Sequence, residues 1–412
     1  MKINAKRVEH RLKQLGKIGR DNGGGWTRFS FTEEDREARQ LIISYMEEAS
    51  LRVRVDAAGN IFGRREGTQG NVPAIASGSH IDTVKNGGLF DGNTGVICAL
   101  EVAQTLEENR VIHAAPFEVI VFTEEEGGRF GSSLFGSRAL AGEITQDYLK
   151  ACKDKDGITQ WDAMKSFGLH PENIFSARID KDYFGSFFEL HIEQGEVLER
   201  NNETLGVVEG IVGITWLDCS IRGKAGHAGA TPMDLRFDAL STAAEIILAI
   251  EQAAYEAGPT AVATVGHLSV FPSSINVIPG EVNFSVDIRD LNQEVIDGLV
   301  KHIQDKSDSI ASKRGLGFQC KKLLQTPPTR LSCECIDHLV EKIRDRDISY
   351  RLMPSGAGHD AQVMTKITDV GMIFVPSKGG VSHNPMEDTD WDDISQGAQI
   401  LYDVVVDRLC LR

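Results

Sequence analysis

The sequence predicts an α/β fold in which a domain built on a mixed sheet is interrupted by a smaller α+β unit. Three observations predict it. The chain has 412 residues, too many for one ordinary core. Helical and strand patterns alternate over residues 1–211 and again over 328–412, as in a sheet covered by helices. Between 212 and 327 that alternation gives way to four strand patterns and two long helical ones. The expected organisation is therefore one domain from 1–211 and 328–412, with 212–327 inserted in it. There is no internal repeat and no low-complexity segment.

The elements follow in order. "MKINAKRVEHRLKQLGKIG" reads as an amphipathic helix without the apolar stretch of a signal peptide. Thr32, followed by Glu33, Glu34 and Asp35, reads as an N-cap with acidic first-turn residues, opening a helix through Met46. Strands are expected at 51–55, 60–64, 73–79 and 116–122, and a helix over "NTGVICALEVAQTL" (93–106), where Val96, Leu100, Ala103 and Leu106 recur at helical spacing. In the inserted unit, "ITWLDCSIRG", "AVATVGHLSV", "GEVNFSVDIRDL" and "GFQCKKLL" read as strands. "RFDALSTAAEIILAIEQAAYEAG" and "EVIDGLVKHIQDKSDSIASKRG" read as its helices. Val282, Phe284, Val286 and Ile288 alternate with polar residues, so one face of that strand is buried and Asp287 and Arg289 lie on the other. After 330 a helix over "CIDHLVEKIRDR" and a strand over "VGMIFVPS" resume the first pattern.

Composition narrows the function classes. Hydrophobic residues are 41% and charged residues 25% of the chain, the proportions of a globular protein. A net charge of -16 argues against nucleic acid or an anionic membrane as partner, and no apolar run is long enough to span a bilayer. The seven cysteines are scattered, with no CxxC pair, which suits reduced thiols in a cytoplasm better than a disulfide framework or a zinc knuckle.

Five short polar stretches carry the chemistry, most of them just after an apolar strand: "GSHIDTVKNGGLFDG" (78–92), "FTEEEGGRFGS" (122–132), "ELHIEQG" (189–195), "SGAGHDAQ" (355–362) and "SHNPMED" (382–388). Together they offer His80, His191, His359 and His383 with Asp82, Asp91, Glu124, Glu125, Glu126 and Asp360. Imidazoles and carboxylates at strand ends are what zinc, manganese, cobalt or nickel takes. A two-metal site also needs a bridging carboxylate and a free one to take a proton from water. Asp82, two residues from His80, is placed to accept the second imidazole N–H of His80 and fix the ligating tautomer. Gly87, Gly88 and Gly92 permit tight backbone around Asp91. Singly these stretches read as glycine turns and solvated acidic loops; jointly they read as a metal-dependent hydrolase.

Taken with "GHAGATPM" (226–233), the set resembles the amidohydrolase branch of the M20 metallopeptidase family, which holds N-carbamoyl-L-amino acid hydrolases, allantoate amidohydrolases and β-ureidopropionases. The resemblance runs from "GGGWTRFSFT" (23–32) to the C-terminal helix, and "LHIEQG" looks like the ureido-hydrolysing members rather than the peptidases. It implies two divalent ions (Zn, Mn, Co or Ni), one held by His80, Asp91 and His191 and one by Asp91, Glu126 and His383. Glu125 would be general base and acid, and Asp82 would orient His80. The inserted unit, a four-stranded antiparallel sheet with two helices, would be a lid and the homodimer interface. His227 would stabilise the oxyanion, and in relatives it can come from the partner subunit. Asn276 and Arg289 would bind the substrate carboxylate, and Gln194 with the Gly356–Ala357–Gly358 backbone would line the pocket. Without the resemblance, Arg289 reads as a salt bridge with Asp287 or Asp290, Asn276 as a turn former, His227 as a glycine-loop residue and Gln194 as a surface residue.

The implied substrate is a small ureido compound bearing a carboxylate. "AAGNIFGRREGT" and "GKAGHAGATPM" look like the L-carbamoylases, and the apolar Ile214 in "GIVGITW" suits an amino-acid side chain. "SGAGHDAQ", "FVPS" and "SHNP" look like allantoate amidohydrolases, which stand as the alternative. A metallo-exopeptidase or aminoacylase and a non-catalytic binding homologue are the remaining classes.

Overall fold

A computed structural model describes residues 1–69 and 72–410. The chain divides into two compact units. The first comprises Met1–Glu209, Leu331–Met353 and Gly358–Arg412; the second comprises Gly210–Arg330 and Pro354–Ala357.

In chain order the strands are β1 (Arg52–Val55), β2 (Ile61–Arg65), β3 (Ala74–His80), β4 (Phe117–Phe122), β5 (Phe184–Ile192), β6 (Leu205–Ile211), β7 (Gly213–Arg222), β8 (Gly226–His227), β9 (Val262–Phe271), β10 (Val277–Ile278), β11 (Glu281–Asp290), β12 (Gly317–Thr326), β13 (Thr329–Arg330), β14 (Tyr350–Ser355) and β15 (Val370–Val375). The sheet of the first unit has the order β1-β2-β4-β3-β5-β15-β6, with β14 on β6. Its centre is parallel: β3 pairs with β4 and β5, and β5 with β15. The flanks, β1 on β2, β2 on β4 and β6 on β15, are antiparallel. Every residue of β3, β4 and β15 is buried, as expected of strands covered on both faces. Helices Asn93–Glu108 and Trp391–Cys410 pack into this core, Ile97, Leu100, Ile400 and Leu401 among their buried residues.

Caps set the helix boundaries. The first helix is Ala5–Leu15, shorter than its amphipathic pattern because Asn4 accepts from the Arg7 amide and Gly16 closes the other end. Thr32 accepts from the Asp35 amide and opens Glu33–Glu48, as its sequence implies.

The second unit is a four-stranded antiparallel sheet, order β12-β7-β11-β9, with the helices Ala239–Ala257 and Gln293–Lys313. Alternate residues of β11 are buried, and Phe284, Val286 and Ile288 meet Leu217, Ile246 and Ile303 in one core. Asp238 caps the first of these helices through the Leu240 and Ser241 amides, so the helix starts after Phe237 rather than at Arg236. β8 and β10 form a separate two-stranded ribbon. The short segment Pro354–Ala357 also belongs here, a correction to the contiguous insert expected from sequence. The Ser355 carbonyl accepts the Val212 amide (3.0 Å) and the Gly356 carbonyl accepts from Arg289 (2.8 Å). Among the described residues no helix is long and apolar enough to cross a membrane.

Candidate metal centre

The polar residues of the first unit gather at the carboxyl ends of its central strands. His80 is the last residue of β3, His191 the penultimate residue of β5, and Glu125 and Glu126 follow β4. His383 lies in the segment after β15. Asp91 ends the loop between β3 and the helix Asn93–Glu108. The turn into that helix needs Gly92: its φ is +62°, and a β-carbon there would lie 2.4 Å from the His80 ring.

Asp91 is the hub. Its Oδ1 lies 3.4 Å from His80 Nε2 and 3.1 Å from His191 Nε2. Its Oδ2 lies 3.3 Å from His383 Nε2, which is 3.2 Å from Glu126 Oε2. Two sets of ligand atoms therefore fall within 4.8 Å, His80–Asp91–His191 and Asp91–Glu126–His383, sharing Asp91. A third, Glu189–His191–His359, shares His191 with the first.

The outer nitrogens show which tautomers these rings adopt. His80 Nδ1 contacts the Asp82 carbonyl at 3.0 Å and His191 Nδ1 the Ile192 carbonyl at 2.9 Å, so each donates its proton outward and turns an Nε2 lone pair toward Asp91; that of His191 also accepts the Gly92 amide at 3.1 Å. A lone pair facing carboxylate oxygen at these distances needs a proton or a cation between them. The same demand raises the His80 and His191 pKa values, burial opposing and the carboxylates prevailing, and raises His383 to about 10 through its hydrogen bonds with Asp91 and Glu126. Burial works against the charged form of Asp91, yet the three imidazoles, in their protonated form, hydrogen-bond to it and hold it well below the usual carboxylate range.

Asp82 acts differently from expectation. The His80 proton goes to its backbone carbonyl, while its carboxylate stands 3.8 Å from that ring and accepts the Glu125 and Glu126 amides at 3.1 Å each. His80 closes the strand and the chain turns after it, so the pleat that would put both side chains on one face has ended. Glu125 Oε2 lies 3.7 Å from His80 Nε2, and its carboxyl is pushed well above the usual range by burial, with His80 opposing and Asp360 and Glu126 reinforcing. Gln194, expected to line the pocket, donates Nε2 to Asp91 Oδ2 at 2.7 Å.

In the second unit, Arg289 forms the pair with Asp287 that its sequence neighbours suggest. Nε and Nη2 each donate at 2.9 Å to one Asp287 oxygen, and Nη1 donates to the Gly356 carbonyl at 2.8 Å. Trp216 Nε1 also donates to Asp287, at 3.0 Å. Ile214 stands opposite Arg289 in the β7–β11 register. Gly356 and Ala357 thus fall in this unit and Gly358 in the first. His227 lies in β8 and Asn276 just precedes its partner strand β10, and the Asn276 carbonyl accepts the Ala228 amide at 3.0 Å. His227 Nδ1 accepts from the Gly229 and Ala230 amides (3.1 and 3.2 Å), which leaves an N–H on the exposed Nε2.

Three residues not singled out from sequence also take part. Glu189, buried inside β5, accepts from Ser79 Oγ (2.6 Å) and the Ala361 amide (3.1 Å). Glu387 and Ser382 contact the Asp91 loop. A carboxylate inside an otherwise apolar strand was the one available signal, and it marks only Glu189.

A parallel-centred sheet that ends in shared histidines and carboxylates, with a four-stranded antiparallel unit inserted in the chain, offers a candidate metal centre. The chain belongs to peptidase family M20/M25/M40, whose profile matches residues 76–407. It is 44% identical over 405 residues to an N-carbamoyl-L-amino acid amidohydrolase of Geobacillus stearothermophilus, covering 98% of each chain. It is 41% identical over 404 residues to one of Paenarthrobacter aurescens, again 98% of each. An allantoate amidohydrolase of Escherichia coli is 34% identical over 395 residues, 96% of this chain and 95% of that one. Among solved structures, an amidase of the hydantoinase/carbamoylase family from Burkholderia multivorans superposes with a TM-score of 0.94 at 34% identity, covering 100% of this chain and 99% of the other. The chain is a hydrolase of amide C–N bonds in the amidohydrolase branch of that family.

Proposed function

We propose that this protein hydrolyses the ureido C–N bond of N-carbamoyl-L-amino acids, releasing the amino acid, carbon dioxide and ammonia, with two divalent ions as cofactor. The observation that carries the reading is the pairing of Arg289 with Ile214 across β7 and β11. The Arg289 N–H groups not engaged by Asp287 or Gly356 would receive the α-carboxylate beside an apolar contact for a side chain. The full-length identity to the two carbamoylases supports it.

The residues fit the ions. Two outward-donating imidazoles and a shared carboxylate present acceptor atoms to one another in a buried site, an arrangement that a cation satisfies. His80, Asp91 and His191 would hold one ion, and Asp91, Glu126 and His383 the other. When bound, the ions supply Lewis acidity at the carbonyl oxygen and a water of lowered pKa. Glu125, with its proton affinity raised by burial, takes the proton of the attacking water and delivers it to the leaving nitrogen. Asp82 holds the Glu125 and Glu126 amides and so fixes both carboxyl groups. His227 offers its Nε2–H to the developing oxyanion. Arg289 and Asn276 orient the substrate through its carboxylate.

The protein would work as a homodimer through the second unit, where Leu248, Tyr255, Leu268 and Leu323 are exposed. The seven free cysteines suit a reducing cytoplasm. Metal-stripped protein reloaded with Mn²⁺, Co²⁺ or Zn²⁺ should release ammonia from a panel of N-carbamoyl-L-amino acids faster than from allantoate, with dipeptides uncleaved. A preference for allantoate would replace the substrate, and cleavage of dipeptides alone would replace the reaction.

A further inference from the structure

Glu387 belongs to none of the three ligand sets, yet it is 5% exposed and lies against the hub of the centre. Its Oε1 accepts two backbone amides, from Phe90 at 2.7 Å and from Asp91 at 3.1 Å. Its Oε2 accepts from Ser382 Oγ at 2.9 Å, and the same hydroxyl lies 3.1 Å from Asp91 Oδ2. A β-carbon at Gly88 would sit 2.0 Å from Oε1, so the Asp91 loop is shaped to receive this carboxylate. Phe90 and Asp91 end one loop, and Ser382, His383 and Glu387 lie in another. One side chain therefore ties together the two loops that carry Asp91 and His383.

We infer that Glu387 is a positioning residue that sets the span between Asp91 and His383 and thereby the affinity of the Asp91–Glu126–His383 set for its ion. The inference rests on the two-ion reading of the centre. The two sets are braced differently. His80 and His191 are strand residues, held by the β3 and β5 ladders. His383 has no ladder; it follows β15 at a φ of +54° in a segment with little regular structure. Ser382 has one proton to give. When Asp91 Oδ2 is engaged by a cation, Glu387 is the acceptor that takes it and keeps the Ser382 oxygen beside Asp91 without a bare lone-pair contact. Glutamine keeps the tie between the loops: its carbonyl oxygen accepts the two amides and its amide group donates to Ser382 Oγ, whose proton then goes to Asp91 Oδ2. Alanine leaves two buried amides and a hydroxyl without their acceptor.

The test is Mn²⁺ titration of metal-stripped protein by calorimetry, with the electron paramagnetic resonance signal of a coupled Mn²⁺ pair read in parallel. Wild type should take up two ions per chain and show the coupled signal. Glu387→Ala should keep one ion near wild-type affinity, bind the second about 10- to 100-fold more weakly, and lose the coupled signal at one equivalent above saturation of the first. Glu387→Gln should restore the second ion to within a few-fold, and the metal-free unfolding midpoint of Glu387→Gln should match wild type. Two ions bound by Glu387→Ala at wild-type affinity would overturn the inference. So would equal weakening of both ions, or a Gln variant as weak as Ala. A wild type that binds fewer than two ions would overturn the two-ion reading itself, an outcome read from the unmodified protein alone.

Discussion

Replacing Arg289 tests where the substrate carboxylate is held. Its guanidinium has five N–H groups, and three are engaged: Nε and Nη2 on Asp287 and Nη1 on the Gly356 carbonyl. Two remain, one on each terminal nitrogen, to donate to a carboxylate. A hydrogen bond to a charged group contributes about 1.5–3 kcal/mol, so two would contribute roughly 3–6 kcal/mol in a dry site. The side chain is 31% exposed, and solvent screening puts the expectation at the low end, about 3 kcal/mol. That corresponds to a loss of roughly 10²-fold in kcat/KM for Arg289→Ala, expressed mainly as a raised KM. Arg289→Lys keeps the charge but not the fork and should lose roughly tenfold. Asp287 keeps its bond from Trp216 Nε1 in either variant, so the strand should hold its shape. The assay is steady-state ammonia release from an N-carbamoyl-L-amino acid and from its uncharged carboxamide. Wild type should prefer the acid, and Arg289→Ala should lose on the acid while the carboxamide rate stays put. Equal losses on both substrates would show that the change acts through structure and that the anchor lies elsewhere.

Other expectations are as direct. Glu125→Gln should retain both ions by elemental analysis while kcat falls by about 10²–10⁴-fold; a rate near wild type would remove Glu125 from the chemistry. Gly92→Ala places a β-carbon 2.4 Å from the His80 ring at a φ of +62°, so urea unfolding of the metal-free protein should show a loss of about 1–3 kcal/mol, with weaker binding of the ion that His80 would hold. Asp56, half-buried and accepting the Ala58 and Asn60 amides, is raised by desolvation of its carboxyl from 3.8 to about 6. Because the folded value lies above the unfolded one, its favourable contribution is complete below about pH 4 and is lost as the pH rises through 6, about 3 kcal/mol in all. Asp56→Asn should flatten that part of the stability–pH curve of the metal-free protein; parallel curves for the two would contradict the shift.

Much of the centre was legible because its residues announce themselves locally. His80, Asp91, Glu126, His191 and His383 each sit in a short polar, often glycine-bearing stretch, most of them just past an apolar strand, and the structure draws the other four side chains around Asp91. The alternation in β11 likewise predicted its buried and wet faces residue by residue. What could not be read has one physical cause. Asp82 has a carbonyl and a carboxylate, and which of them meets His80 depends on where the chain leaves the strand. Gln194 turns to Asp91 across 103 residues and Glu387 reaches Phe90 across 297, and such long-range hydrogen bonds leave no periodicity behind. Pro354–Ala357 joins the second unit through hydrogen bonds with Val212 and Arg289, partners far away in sequence.

The ligand order along the chain also bears on biosynthesis. His80, Asp91, Glu126 and His191 all precede the second unit, whereas His383 follows it. A nascent chain emerging from the ribosome therefore displays most of a centre, a concentration of buried-type carboxylates and imidazoles, well before the residue that would complete it. β15, which lies between β5 and β6 in the sheet, is likewise made late. Completion of the Asp91–Glu126–His383 set thus waits until the segment after the second unit has been made, so an ion held by that set would report that the segments on both sides of the unit have folded together.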